Sequence, residues 1–393
     1  MMTARLRIWL EIFFVSLRLG LTSFGGPVAH LGYFRNEYVK RRKWLDEHSY
    51  ADIVALCQFL PGPASSQVGI SIGMIRGGIV GGIISWIGFT LPSVVMLILF
   101  AYLFISGDFI NEGLLHGLKI VAVAVVAQAV IEMGRKLTPD RTRITIAIVA
   151  ASITLLYPTA LGQILLIIAA GFLGYRLFLN GEKPKLNEME LTLNKKTGII
   201  AILLFFALLI GLPVLRSAYP SMGISMFDTF YRVGSIVFGG GHVVLPLLER
   251  EVVPTGWLSD EAFLTGYGAA QAVPGPLFTF ASYLGTMILG WKGAIIATVA
   301  IFLPSFLLVM GVLPFWNSIR KYTAIQAALM GVNAAVVGIL LAALYHPIWT
   351  SSIKTTTDFI LGLVAFTLLV FWKLPPWIVV LFAGASGYVI SII

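Results

Sequence analysis

The sequence predicts an all-α polytopic integral membrane protein, built from two inverted-topology repeats with broken, re-entrant helices. The chain of 393 residues is 58% hydrophobic and only 11% charged, which places it outside soluble globular domains. Apolar runs of about 17–25 residues follow one another, each long enough to cross a hydrocarbon core of about 30 Å. One series of motifs also occurs twice, and this duplication organises the rest of the prediction.

The two copies of the series share residue types, order and spacing. Each contains an arginine, Phe-Gly-Gly, Trp-Leu, Gln-x-x-Pro-Gly-Pro and Leu-Pro-Ser. The first copy comprises Arg18, 24–26, 44–45, 58–63 and 91–93, and the second comprises Arg232, 238–240, 257–258, 271–276 and 303–305. Equivalent positions are 212–214 residues apart. Duplicated apolar halves with helix breakers at matching places are typical of secondary transporters, whose substrate sites lie between the repeats.

The predicted domain boundaries follow from this repeat. Residues 1–180 form the N-terminal repeat, and residues 223–393 form the C-terminal repeat. Between them, 181–222 holds a polar linker and one additional transmembrane helix, predicted at 197–215. This additional crossing has no counterpart at the start of the chain, so the second repeat begins from the opposite side of the membrane.

Basic residues predict the orientation, because cytoplasmic loops are enriched in Lys and Arg. The richest basic cluster lies at 35–43. If 50–75 crossed the membrane completely, this cluster would lie outside, against the charge rule. A re-entrant hairpin removes the conflict, since residues 49–60 would extend only about 18 Å as a helix. Proline and glycine at 61–63 would form its apex.

Residues 6–43 are interpreted as a second hairpin, broken at 24–27. The first half then contains two hairpins that open to the cytoplasm and four complete spans. The hairpins of the second half open to the outside, where the stretch 249–261 is poor in basic residues. The alternative of thirteen complete spans also inverts the halves, but it violates the charge rule at 35–43.

The broken helices predict an anion site. In lipid, unpaired backbone groups are tolerated only inside protein or beside a watery cavity, and the N–H groups at a helix start favour an anion. Helices start in this way after Pro63 and after Pro276. The predicted substrate-binding residues are Arg18, Gly25, Gly26, Gln58, Gly62, Ser65, Ser66, Lys119, Arg232, Gly239, Gly240, His242, Gln271, Gly275 and Thr279.

Arginine has both a functional and a structural interpretation here. A guanidinium in the membrane costs about 2.5–3.5 kcal/mol or more at the bilayer centre, and its planar fork suits tetrahedral oxyanions. The structural alternatives are ion pairs, of Arg18 with Glu11 and of Arg232 with Asp228, or snorkelling to an interface. Lys119 could likewise snorkel from a helix end.

The other candidates also have structural alternatives. The Pro-Gly-Pro motifs could be packing kinks, and the glutamines before them could tie the broken backbone. His242 could be an ordinary packing residue. The aligned Glu37 and Glu251 are expected to be solvated or paired with arginine, and Glu132 is expected to be a surface partner at a helix end.

Several function classes are disfavoured by what the sequence lacks. It contains no Walker loop, nucleophile triad or metal-binding cluster, and its single cysteine, Cys57, cannot form an internal disulfide. The net charge of +9 comes from loop clusters and does not indicate nucleic-acid binding. We therefore expect no enzymatic activity, no cofactor and no metal ion. A membrane enzyme or scaffold would leave the duplicated helix breaks unexplained.

With its motifs at 24–27, 58–63, 238–242 and 271–276, the chain resembles the chromate ion transporter family, specifically its long members with both repeats in one polypeptide. The resemblance implies a secondary transporter that exports chromate across the bacterial plasma (inner) membrane. Sulfate, which has the same tetrahedral shape and charge, is the alternative substrate. The expected partners are chromate or a sulfate-like oxyanion and the lipid bilayer, with no nucleic acid; a homodimer is left open.

The charge pattern makes a testable prediction about topology. Single cysteines replacing Lys43 and Ser259, in a chain without Cys57, should react with a membrane-impermeant reagent from opposite sides. The measurement is labelling in right-side-out and inverted vesicles. Labelling of both cysteines from the same side would contradict the inverted arrangement.

Overall fold

The computed structural model describes residues 2–24, 26–106, 112–179, 194–238, 241–319 and 322–392. These residues form helices and short connections, as predicted for an all-α protein. Within this part of the chain, six helices are long and apolar enough to cross a membrane: Ala64–Ser106, Gly113–Leu137, Leu161–Phe178, Lys195–Ala218, Leu277–Phe315 and Thr323–Ser352. The polar linker lies mostly outside the described residues, as do Gly25, Gly239 and Gly240.

The first half contains seven helices, followed by the additional helix. They are α1 (Met2–Thr22), α2 (Gly26–Phe34, continued by a π-helical stretch at Arg35–Arg41), α3 (Glu47–Phe59), α4 (Ala64–Ser106), α5 (Glu112–Leu137), α6 (Arg141–Leu156), α7 (Ala160–Phe178) and α8 (Lys195–Ala218). Helix α8 covers 197–215, where the sequence predicts the additional crossing, and it is long and apolar enough to span a membrane.

The second half repeats this order. Its helices are α9 (Met222–Ile236), α10 (Val244–Val252, preceded by a 3-10 turn at Gly241–Val243), α11 (Asp260–Ala272), α12 (Phe280–Val312, preceded by a 3-10 turn at Leu277–Thr279), α13 (Trp316–Ile319), α14 (Thr323–Ala343), α15 (Thr350–Ser352), α16 (Thr356–Val370) and α17 (Pro376–Ile392). Short 3-10 and π-helical stretches at Leu313–Phe315 and Leu344–Trp349 flank α13 and α14.

The re-entrant helices α3 and α11 start with the same kind of cap. The side chain of Asp46 accepts a hydrogen bond from the Ser49 N–H, and that of Ser259 accepts one from the Ala262 N–H. Such caps satisfy backbone donors that a helix start leaves without a partner. Because Asp46 and Ser259 are equivalent positions, both halves start this helix by the same local device.

Helix α4 reverses direction inside its nominal length. The reversal lies at Gly77 and Gly78, the latter with φ of +67°. Beyond it the chain runs back along itself, and the Ser85 hydroxyl donates to the Gly69 carbonyl at 2.8 Å. In α12, Gly290 with φ of +63° makes the equivalent reversal. Positive φ of this kind favours glycine, which has no β-carbon to clash.

The arm of α4 before the reversal, 64–76, forms a hairpin with α3 around the apex at 61–63. Helix α3 has 13 residues and so extends about 20 Å, less than the thickness of a hydrocarbon core. The first arm of α4 is equally short. These lengths match the predicted re-entrant hairpin and disfavour thirteen complete spans.

The two re-entrant hairpins enter from opposite ends of the molecule. Arg76, at the reversal of α4, lies over the ring of Trp44 at 4.2 Å, so the base of α3 shares that end. The second arm of α4 then extends about 42 Å to the other end. There, Lys119 of α5 binds Glu261 at the base of α11 at 2.8 Å. The halves are therefore inverted relative to each other.

Helices are also exchanged between the halves. Helix α5 of the first half packs against α16 and α17, whereas α14 of the second half packs against α6 and α7. Helices α4 and α12 pack against each other, and α8 lies against α9 and α12. Neither half forms a separate unit, because each three-helix group needs a helix from the other half.

The glycine contact within α4 makes a stability prediction. A β-carbon at Gly81 would clash with the carbonyl oxygen of Gly73, so Gly81→Ala should lower the free energy of unfolding by about 1–3 kcal/mol. The matched control is Gly211→Ala in α8, where no atom lies within 4 Å. Thermal unfolding in detergent should show a lower midpoint for the first variant only. Equal midpoints would contradict the close packing of the two arms.

Candidate functional site

Two crossed backbone hydrogen bonds join the Pro-Gly-Pro apices to the opposite halves. The Gly62 N–H donates to the Val237 carbonyl at 2.6 Å, and the Gly275 N–H donates to the Ser23 carbonyl at 2.9 Å. Val237 and Ser23 each lie directly before a Phe-Gly-Gly motif. Each apex is therefore seated on the helix break of the other repeat, and the duplicated motifs meet in the interior.

The serines of the two Leu-Pro-Ser motifs lie against these apices. A β-carbon at Gly62 would clash with the Ser305 hydroxyl, and one at Gly275 would lie 3.0 Å from the Ser93 hydroxyl. The φ angles of the two glycines are +119° and +106°, in the region that L side chains rarely adopt. Glycine is thus required at both apices, by conformation and by space.

Polar atoms without a partner concentrate at the first apex. Among the described residues, the buried atoms Ser66 Oγ, Gln67 Oε1 and Ser305 Oγ have no hydrogen-bond partner. The amide nitrogen of Gln67 donates to the Pro61 carbonyl at 2.6 Å. Buried polar groups are almost always paired, so such a cluster indicates a place where a polar ligand or water binds.

At the second apex, the hydroxyls at the equivalent positions are hydrogen-bonded to backbone carbonyls. Thr279, the equivalent of Ser66, donates its hydroxyl to the Pro276 carbonyl at 2.7 Å. Ser93, the equivalent of Ser305, donates to the Thr90 carbonyl at 2.9 Å. Phe280 stands where the first half has Gln67. The hydroxyls of Thr279 and Ser93 are therefore paired, whereas those of the equivalent Ser66 and Ser305 are not.

Sequence reasoning missed three residues near the apices. Gln67 and Ser305 touch Gly62, and Ser23, whose buried hydroxyl has no partner among the described residues, accepts from Gly275. The signal for Ser305 was present, because its Leu-Pro-Ser motif is part of the duplicated series. The signal for Gln67 was its polar character in the first turn after Pro63.

The remaining predicted residues near the breaks have varied surroundings. Buried Ser65 lies 3.2 Å from His30 Nδ1, and His242 Nδ1 lies 2.8 Å from the Tyr267 hydroxyl. Gly26 starts α2 with φ of +78°. Both glutamines end a re-entrant helix, but Gln58 is exposed, whereas Gln271 is half-buried and its Nε2 has no partner among the described residues.

The two equivalent arginines differ in their surroundings. Arg18 is exposed, and its suggested partner Glu11 instead binds Arg42 and Arg76, each at 2.8 Å. Among the described residues, Arg18 makes no ion pair. Its position lies five residues before Ser23, or about 8 Å along the axis of α1. Arg18 therefore remains available to an anion.

Arg232 is paired with two carboxylates. It binds Asp228 through Nε at 3.1 Å and Glu251 through Nη1 at 3.1 Å, while Arg216 also approaches Asp228 at 3.3 Å. The suggested pair with Asp228 is thus present, and the expected arginine pairing of Glu251 is confirmed. Its equivalent, Glu37, is paired with arginine as well.

Lys119 lies away from the apices. Its ion pair with Glu261 is at the base of α11, about 18 Å along that helix from the second apex. A cavity of about 550 Å³ adjoins the pair and is also lined by His116. His116 Nε2 lies 2.7 Å from Asp358 Oδ1, which links α5 to α16. Lys119 therefore lies at the end of the molecule where α11 starts.

Comparison with known proteins gives one family. The family model described as "Chromate transporter" matches residues 10–175 and 224–388. A probable chromate transport protein of Synechococcus elongatus is 28% identical over 95% of this chain and 93% of its own length. The chromate transport proteins of Pseudomonas aeruginosa and Cupriavidus metallidurans are 27% and 28% identical, over 97% and 95% of this chain and 92% and 91% of their own. No solved structure gives a significant match.

The contact between Gly62 and Ser305 makes a prediction about coupling. Gly62→Ala should destabilise the protein by about 1–3 kcal/mol through its backbone conformation alone, and further through the clash with the Ser305 hydroxyl. Ser305→Gly should relieve the second part only. The double variant should therefore be less destabilised than the sum of the two single variants in a double-mutant cycle, measured from thermal unfolding in detergent. Gly275→Ala with Ser93→Gly, where the contact is looser, is the matched control; additive effects at Gly62 and Ser305 would contradict the contact.

Proposed function

Since this chain belongs to the chromate transporter family, we propose that it exports chromate from the cytoplasm, with the anion held at the broken-helix termini between the repeats. The chain is a multi-pass membrane transporter of the plasma membrane and not an enzyme. The observation that carries the proposal is the crossed seating of each Pro-Gly-Pro apex on the helix break of the opposite half.

The first apex is the proposed binding site. The hydroxyls of Ser66 and Ser305 donate to the oxyanion, and the N–H groups at the start of α4 add further donors and a partial positive charge. Gly62 keeps the turn narrow enough for Ser305 to approach. A tetrahedral anion needs donors from several directions, and here they come from both halves.

Arg18 supplies the charge in this proposal. It is exposed and makes no ion pair among the described residues, so binding an anion does not require it to leave a carboxylate. Arg232 has a positioning role, because it is already neutralised by Asp228 and Glu251. The duplicated arginines therefore have different roles.

The membrane potential supplies part of the driving force for export. Moving each negative charge out of a cell with a negative interior releases roughly 2.3 kcal/mol per 100 mV, and chromate carries two such charges. The coupling of transport to a second ion is compatible with this arrangement but is not required by it. Sulfate is the alternative substrate, because its shape and charge would satisfy the same donors.

Transport in inverted vesicles tests the proposed function. Inverted vesicles that contain the protein should accumulate labelled chromate, and an interior-positive potential should increase the rate. Sulfate, measured in parallel and as a competitor, decides between the two oxyanions. Uptake of sulfate but not chromate would favour the alternative, and uptake of neither would refute both.

Variants of Arg18 and of the first apex test the binding site. Arg18→Ala should lower chromate uptake roughly tenfold or more, because losing a hydrogen bond to a charged group costs about 1.5–3 kcal/mol. Arg18→Lys should rescue only partly, since an ammonium lacks the planar fork. Ser305→Ala should also lower uptake. Rates are normalised to the amount of folded protein.

A matched control and a contrast accompany these variants. Glu132→Gln changes an exposed carboxylate that accepts a hydrogen bond from Gln128 on the same helix, so uptake should stay normal. Arg232→Ala should mainly reduce the amount of folded protein, because it removes an ion-pair partner from half-buried Glu251 and leaves buried Asp228 with Arg216 at 3.3 Å. Normal uptake by both Arg18→Ala and Ser305→Ala would remove the first apex from the site.

A further inference from the structure

The equivalent re-entrant helices α3 and α11 have different surroundings. Helix α11 packs against α5 and α17, and a β-carbon at Gly268 would clash with the carbonyl oxygen of Leu118. All residues from 262 to 270 are buried. In the described part of the chain, α3 shows no comparable packing against the equivalent helices α14 and α7.

One face of α3 is exposed as a result. Ala51, Ala55 and Gln58 are spaced by four and three residues, so they lie on the same side of the helix, and all three are exposed. Their equivalents on α11 are Leu264, Gly268 and Gln271. Leu264 and Gly268 are buried, and Gln271 is half-buried. The two helices thus present equivalent faces, one covered and one open.

The preceding hairpins show the same difference. Helix α10 lies against α7 and α14, whereas α2 makes no comparable contact with α17 or α5 among the described residues. Arg232 adjoins Gln163 of α7 in this contact, while the equivalent Arg18 is exposed. Both hairpins of the second half are therefore packed against the three-helix groups, whereas α2 and α3 show no comparable packing among the described residues. The first hairpin approaches its group near the break, where the rings of Phe24 and Trp377 of α17 lie 5.9 Å apart.

An ion pair adds to the packing between α5 and α11. Lys119 and Glu261 join α5 to α11 at the outer end. The equivalent positions on α14 and α3 are Asn333 and His48, which are not a pair of fixed opposite charges. A contact between α3 and α14 would therefore lack this ion pair and be weaker than the contact between α11 and α5. This difference favours the arrangement in the structure, in which α11 is packed against α5.

We propose that the exposed face of α3 lines the cytoplasmic access route to the anion site, and that transport closes this face against α14 while α11 separates from α5. This inference rests on the proposed transporter function. Inverted repeats permit such an exchange, because each can adopt the conformation of the other around a fixed site. The present structure then has a closed outer side and an open inner side.

The chemistry of the exposed face fits a watery route and not a lipid contact. Gln58 lies close to the apex of the re-entrant hairpin, deep in the membrane. An amide that faced hydrocarbon there would lose its hydrogen bonds to water. Ala51 and Ala55 are small and leave the route wide. Arg18, which is also exposed, would attract an anion that enters along this route.

Cysteine accessibility tests the open face. In a chain with Cys57→Ala, we expect Ala55→Cys to react with a charged, impermeant thiol reagent from the cytoplasmic side of inverted vesicles. The controls are Ile53→Cys, on the buried face of α3, and Leu264→Cys, on the covered face of α11; both should react at least tenfold more slowly. If only an apolar reagent labels Ala55→Cys, the face contacts lipid and the proposal is overturned.

Cross-linking tests the closed state of the same face. Val332 on α14 is the equivalent of Leu118, which lies against Gly268, so Ala55→Cys and Val332→Cys should come within disulfide range when α3 closes. Oxidation should form this disulfide and stop transport, and a reductant should restore it. The pair Ile53→Cys with Val332→Cys should not cross-link. Absence of a disulfide between positions 55 and 332 overturns the proposed movement.

Thiol labelling and disulfide formation do not depend on the identity of the substrate; only the accompanying transport assay does. The labelling and cross-linking patterns would support the access route even if neither chromate nor sulfate were transported, and the proposed substrate alone would then fall. Conversely, normal chromate export with an inaccessible Ala55→Cys would overturn the route and leave the proposed function intact.

Discussion

A broken helix inside a membrane must satisfy its free backbone groups without help from solvent, and this protein meets the constraint by pairing each break with the other half. The Gly62 and Gly275 N–H groups find their acceptors at Val237 and Ser23, roughly half the chain away in sequence. Because neither half can satisfy its own apex, the two repeats must fold together. The exchange of α5 and α14 between the three-helix groups extends this mutual dependence to the rest of the molecule.

Duplication of the motifs has not kept the chemistry of the two halves equal. The apices have the same shape, but the hydroxyls of Ser66 and Ser305 at the first apex have no partner among the described residues, whereas the equivalent Thr279 and Ser93 donate to backbone carbonyls. The arginines differ in the same way, since Arg232 is paired with two carboxylates and Arg18 is paired with none among the described residues. The first apex, built from both halves, keeps polar groups free for a ligand, whereas Arg232 uses its polar groups to hold the fold together.

The packing of the hairpins also differs between the halves, and this difference indicates how the protein could change conformation. Helix α11 is covered by α5 and fastened by the pair of Lys119 and Glu261, whereas the equivalent face of α3 is open. Two repeats of like sequence in unlike surroundings have a second conformation available, in which their surroundings are exchanged. Small residues such as Ala55 and Gly268 at the contact allow helix backbones to approach closely and to separate without large voids.

The sequence by itself determined the membrane class, the duplicated halves, the additional helix at α8 and the re-entrant hairpins. These properties depend on composition, on apolar run length, on basic clusters such as 35–43 and on local breakers such as Pro61 and Gly62, all of which act over a few residues. Only the tertiary structure decided which atoms meet: that Glu11 binds Arg42 and Arg76 instead of Arg18, that Ser305 touches Gly62, and that Lys119 binds Glu261. Those contacts join residues far apart along the chain, so their partners depend on how the halves interlock, which spacing within one half does not encode.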